Sequence, residues 1–119
     1  MILVDTSVWI EYLSRGHRRL AGLIEGGEVL GHPFIEGELA CGGMRNRSEI
    51  LELLWQLPRV PLVLHEEALA LIEQERLYGL GLGWIDLHLL ASARLVGCGF
   101  WSLDKQLNRS AEALGIKVA

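Results

Sequence analysis

The sequence has 119 residues, half of them hydrophobic, and a formal net charge of −4. That length and apolar content describe one domain spanning residues 1–119 that can bury its own core, and the negative balance excludes attraction to nucleic acid through overall charge alone. A polyanionic ligand would need local arginines or bound cations. No basic n-region precedes an apolar stretch and no apolar run nears the ~18 residues of a membrane span, so the expected protein is cytoplasmic and keeps no membrane contact. Cys41 and Cys98 have no C-x-x-C spacing, which argues against zinc or a disulfide framework and suits core packing in a reducing compartment.

Ile2, Leu3 and Val4 read as a buried strand that stops at Asp5, and Thr6 or Ser7 can cap the helix that follows through Val8, Trp9, Tyr12 and Leu13 to Gly16. Strand, acid, helix is the first half of a βα unit. Ligands bind in the crevice beyond the carboxyl ends of such strands, so Asp5 is placed either for chemistry or as a helix cap. A helix over 17–25 ends at Gly26-Gly27, a short strand follows at 28–30, and Pro33 opens a helix to about Gly42 that carries Glu36 and Glu38. Ser48 is available to cap an amphipathic helix over Ile50 to Leu57 that stops at Pro58.

Val60 to Leu64 reads as a second central strand despite Pro61, and His65 to Tyr78 as a helix. The Gly79 to Trp84 stretch is a connector, since its alternating glycines fail the dinucleotide-binding spacing. Asp86 opens the most hydrophobic helix, Leu87 to Val96. Phe100 to Leu103 reads as a strand ending at Asp104, Lys105 to Leu114 as a helix, and Ile116 to Val118 as an edge strand. Strands alternating with helices indicate an α/β fold with a parallel sheet covered on both faces.

Of fifteen acidic residues only three are aspartates, Asp5, Asp86 and Asp104, and each stands at a junction of an apolar run and a helix. Parallel strands point their carboxyl ends one way, so these acids can converge, with a glutamate from the Pro33 helix to complete the set. Two carboxylates ~5 Å apart repel by about 3 kcal/mol at an effective dielectric constant near 20, and hard divalent cations such as Mg²⁺ or Mn²⁺ neutralise such clusters.

The motifs V-D-T-S-V-W at the start, G-E-L-A at Gly37–Ala40, D-L-H-L-L-A-S-A at Asp86–Ala93 and S-L-D-K at Ser102–Lys105 together resemble the PIN-domain family, specifically its VapC-type toxin ribonucleases. The resemblance implies a three-layer α/β/α sandwich with a central parallel sheet. It also implies an endoribonuclease that uses Mg²⁺, or Mn²⁺, held by Asp5, Glu38, Asp86 and Asp104 with the Ser7 hydroxyl in support. The implied partners are an RNA substrate, a cognate antitoxin and a second copy in a homodimer. Glu36 departs from the pattern and reads first as a solvated charge, then as a second ligand or an antitoxin contact. Arg15, Arg18, Arg19, Arg45 and Arg47 are the arginines available to hold an RNA backbone, each more simply a solvated charge. His32 and His88 read as structural, and Trp9, Trp55, Trp84 and Trp101 as core, with Trp84 the best exception.

Two other functions compete. A haloacid-dehalogenase-like phosphatase also ends its first strand in an aspartate, but it resembles D-x-D-x-T there, and Ser7 stands where the second acid belongs. A non-catalytic PIN-like binding module would lack one of the four acids, and all four are present.

Overall fold

In the computed structural model, which describes residues 1–119, the opening run Ile2–Val4 is strand β1, paired in parallel with β2 (Val29–Leu30) on one side and β3 (Gly99–Trp101) on the other. The order β2-β1-β3 makes β1 central, with Leu3 and Val4 fully buried, and that position is why its sequence is continuously apolar and not alternating. Leu3 stands opposite Leu30 and Phe100, and Val4 opposite Trp101, so Asp5 and Ser102 leave neighbouring strands at the same level.

Seven helices surround this sheet: α1 (Thr6–Arg15), α2 (Arg18–Glu25), α3 (Pro33–Ala40), α4 (Arg47–Gln56), α5 (His65–Glu75), α6 (Trp84–Val96) and α7 (Lys105–Ala113). A single core joins Val8 and Trp9 of α1, Leu20 of α2, Ile35 of α3, Leu54 of α4, Leu89 and Leu90 of α6 and Leu107 of α7 to the strands. A smaller cluster of Leu71, Leu77, Leu87 and Ala91 seals α5 onto α6. No helix is long and apolar enough to cross a membrane.

Several expectations are corrected. Val60 to Leu64 is not a strand. The chain makes a single bridge, Arg59 with Gly31, in which the Gly31 N–H donates to the Pro58 carbonyl at 2.8 Å and the Val60 N–H to the Gly31 carbonyl at 3.0 Å. Pro61 has no N–H with which to continue, and its carbonyl accepts instead from Ser92 Oγ at 2.8 Å. The expected edge strand at Ile116 to Val118 is reduced to one bridge between Val118 and Phe100. Helix α6 begins at Trp84, two residues before Asp86, because Gly83 supplies an extended N-cap. Helix α4 begins at Arg47 behind Asn46, so Ser48 is not its cap. Cys98 is buried as expected, but Cys41 is exposed at the end of α3. Trp55 is exposed where core packing was expected, because α4 buries Ile50, Leu51 and Leu54 on the opposite face.

Candidate active site

Asp5 occupies the N-cap position of α1 yet makes no side-chain cap hydrogen bond, so capping is not what its buried carboxylate does. Its Oδ2 instead accepts from two hydroxyls, Ser7 Oγ at 2.8 Å and Ser102 Oγ at 2.7 Å. Both serines are held in turn by the loop between β3 and α7. The Leu103 N–H donates to Ser7 Oγ and the Asp104 N–H to Ser102 Oγ, each at 3.0 Å. Two hydroxyls thus fix one oxygen of Asp5 and leave Oδ1 without a protein donor.

The other three acids share that division. Thr6 Oγ1 donates to Glu38 Oε1 at 2.7 Å, tying α1 to α3. The Gly83 N–H donates to Asp86 Oδ2 at 2.9 Å, and Asp104 Oδ1 caps α7 by accepting from the Gln106 and Leu107 N–H groups at 2.9 and 3.2 Å. Helix capping, the simplest role for an aspartate, therefore holds for one oxygen of Asp86 and of Asp104. No protein donor reaches Glu38 Oε2, Asp86 Oδ1 or Asp104 Oδ2. Burial raises the pKa of Asp86 above its ordinary value, the Gly83 N–H opposes the rise, and the charges of Asp5 and Asp104 add to it. Three aspartates from different elements are close enough to feel one another.

These residues fit a hard divalent cation in donor type, each offering one free carboxylate oxygen. They are not a closed ligand shell as they stand, since no three His, Cys, Asp or Glu side chains are gathered closely enough to enclose an ion. The structure joins Ser7 to Asp5 directly, places Asp5 and Asp104 within electrostatic reach of Asp86, and holds Glu38 on Thr6, the residue after Asp5. Two supporting residues escaped the sequence reading. In the sequence Ser102 stands only as a member of S-L-D-K, and Thr6 as a member of V-D-T-S-V-W able to cap a helix.

Glu36 is not a solvated charge. It is mostly buried, and Arg59 Nε donates to its Oε1 at 2.6 Å, joining α3 to the segment after α4. Among the arginines, Arg15 pairs with Glu11, Arg47 donates to the Ala40 carbonyl and Arg19 lies over the Trp101 ring. Arg45 lines a cavity of about 500 Å³ whose other walls include Thr6 and Glu38. His32 is fully buried, and its pKa falls to about 4 through burial first and the neighbouring His88 second. His32 Nδ1 accepts from the Phe34 N–H at 3.0 Å, which leaves Nε2 facing Ser92 Oγ at 3.2 Å. His88 is also pushed down, by burial and then by His65. His32 is tied into the fold by both ring nitrogens, and His88 packs between Phe34 and Trp84.

The PIN-domain sequence pattern matches residues 2–113, which include all four acids. The chain belongs to the PIN-domain family. Within that family it is of VapC type, being 43% identical over 120 residues to ribonuclease VapC32 of Mycobacterium tuberculosis, a match covering 100% of this chain and 97% of that protein. This PIN domain shares its fold with FitAcB from Neisseria gonorrhoeae, at TM-score 0.61 and 18% identity over 99% of this chain and 96% of that one. FitAB bound to an IR36 DNA fragment aligns at TM-score 0.63 and 18% identity, over 100% and 94% of the two chains. Membership leaves the phosphatase reading without support, as does Ser7, whose hydroxyl is already engaged on Asp5.

Proposed function

We propose that this PIN domain is the toxin of a toxin–antitoxin pair, an endoribonuclease that hydrolyses RNA phosphodiester bonds with a divalent cation, Mg²⁺ or Mn²⁺. The observation that carries the proposal is the shared geometry of the four acids, each with one oxygen tied to the protein and one free. The free oxygens of Asp5, Glu38, Asp86 and Asp104 would hold the cation. When bound, it supplies charge stabilisation at the phosphoryl oxygens and a water nucleophile active at neutral pH.

The chain's own residues prepare that site. Ser7 and Ser102 fix the orientation of Asp5, so its free oxygen does not rotate away when the charge balance changes. Thr6 does the same for Glu38. Arg45, beside Glu38 and engaged in no ion pair, is the arginine best placed for a substrate phosphate. The proposal includes a cytoplasmic site of action, a cognate antitoxin and a homodimer. Support for a second copy comes from exposed apolar surface around α5 and α6, where Leu64 and Leu95 are 66% and 62% exposed.

Total RNA incubated with the purified protein and Mg²⁺ or Mn²⁺ should be cut at discrete positions, and chelator should stop the cutting. Intact RNA under every cation condition would return the chain to a binding module.

A further inference from the structure

Beside Glu38 a cleft of about 430 Å³ opens between α3 and α6, with Pro33 and Phe34 on one wall and Trp84 and Ile85 on the other. Trp84 is 40% exposed and belongs to neither apolar cluster, so its indole is not there to fill a core. It is nevertheless held firmly. His88 meets it edge-on with ring centroids 4.6 Å apart, His65 lies at 5.1 Å, and His88 packs in turn against Phe34 at 4.8 Å.

We infer that this cleft receives a base of the RNA strand flanking the cleaved phosphate, stacked on Trp84; the inference rests on the nuclease reading above. Glu38 lines the cleft and belongs to the acid site, so the cleft opens beside the place where the phosphate would lie. Its volume is at the low end of the ~300–1,000 Å³ of small-ligand pockets, right for one base and too small for a partner's helix. Glu38 is its only charged residue, which suits a neutral ring and not a phosphate. A fixed, solvent-facing aromatic loses little freedom when a base stacks on it, and stacking accepts any base because each has a π face.

The test measures KM and kcat for the wild type, Trp84→Ala and Trp84→Phe on one short oligoribonucleotide, and on the same oligomer with single abasic residues on either side of the cut. Trp84→Ala should raise KM about tenfold or more with kcat little changed, and Trp84→Phe should restore most of the loss. In the wild type one abasic position should raise KM comparably, and in Trp84→Ala that lesion should add nothing. Equal KM for wild type and Trp84→Ala, or no abasic penalty at either position, would overturn the inference. The abasic arm needs only the wild type, so it decides the matter even should Trp84→Ala not fold. Weakened antitoxin binding with unchanged RNA kinetics would give the cleft to a protein partner and overturn it equally. A wild type that cuts no RNA would instead remove the nuclease reading, and this inference with it.

Discussion

Ser102 lies ninety-seven positions from Asp5 in the chain, and its hydroxyl donates to Asp5 Oδ2 at 2.7 Å while accepting from the Asp104 N–H at 3.0 Å. One buried hydroxyl therefore couples two of the four acids, fixing the side chain of one and the backbone of the other. Ser102→Ala should lower cleavage about tenfold to hundredfold, the range for residues that orient metal ligands, and raise the cation concentration needed for half-maximal rate. Cation titrations of the two proteins check this. An unchanged half-saturation point would leave Ser102 with a packing role only.

Glu36 and Glu38 separate cleanly. Glu38→Gln should abolish detectable cleavage with little change in melting temperature, because its carboxylate is exposed and bonded only to Thr6. Glu36→Gln should leave the rate intact and weaken folding by less than ~1 kcal/mol, since its ion pair with Arg59 is partly exposed on the arginine side. Paired rate and melting measurements decide it, and a rate loss from Glu36→Gln would contradict the assignment.

Asp86 carries the cost of assembling the site. A carboxyl with a raised folded pKa binds its proton more tightly folded than unfolded, so stability falls as pH rises from the ordinary value of 3.8 through the folded one. At neutral pH its ionised form opposes folding. Asp86→Asn keeps an oxygen for the Gly83 N–H and removes the charge, so in chelator it should melt higher than wild type. Mg²⁺ should reverse the order, because a cation at ten times its dissociation constant stabilises the intact site by about 1.4 kcal/mol. A variant that melts lower in chelator would mean that Asp86 is only a helix cap.

His32 has the opposite sign of pH dependence. Its folded pKa of about 4 lies below the ordinary 6.5, so stability is fully present above 6.5 and is lost as pH falls toward 4. By pH 5 the loss should be about 2 kcal/mol. His32→Asn preserves the acceptor for the Phe34 N–H but cannot titrate, so its urea midpoint should fall less between pH 7 and 5 than that of the wild type. Parallel curves would exclude His32 as the source.

What the sequence made legible was local. The run Ile2–Val4 ending at Asp5 located β1 and its acid, because an apolar strand that stops at a charge has few alternatives. The aspartates stood out because there are only three and each stands at an element junction. What stayed hidden depended on partners far along the chain. Ser102 looks like any strand-end serine until Trp101 pairs with Val4 and brings it to Asp5. Glu36 could not be told from a solvated charge without Arg59, twenty-three residues away. The Val60–Leu64 strand failed because its apolar side chains matched a strand while Pro61 removed the hydrogen bond that pairing needs. Trp84 reads as part of a glycine-rich connector because Gly83, the N-cap of α6, has no side chain to signal a helix start, and the Asp86 carboxylate that accepts from its N–H lies three residues on.

The most direct test of the four-acid site is the initial cleavage rate of one RNA, at a single mapped position, across a Mg²⁺ or Mn²⁺ titration for wild type and for Asp5→Asn, Glu38→Gln, Asp86→Asn and Asp104→Asn. The account predicts cation-dependent cutting by the wild type, none in EDTA, and no measurable cutting by any of the four variants at saturating cation, while each still melts cooperatively. Full-rate cleavage in EDTA, or by a folded variant lacking any one of these acids, would contradict it.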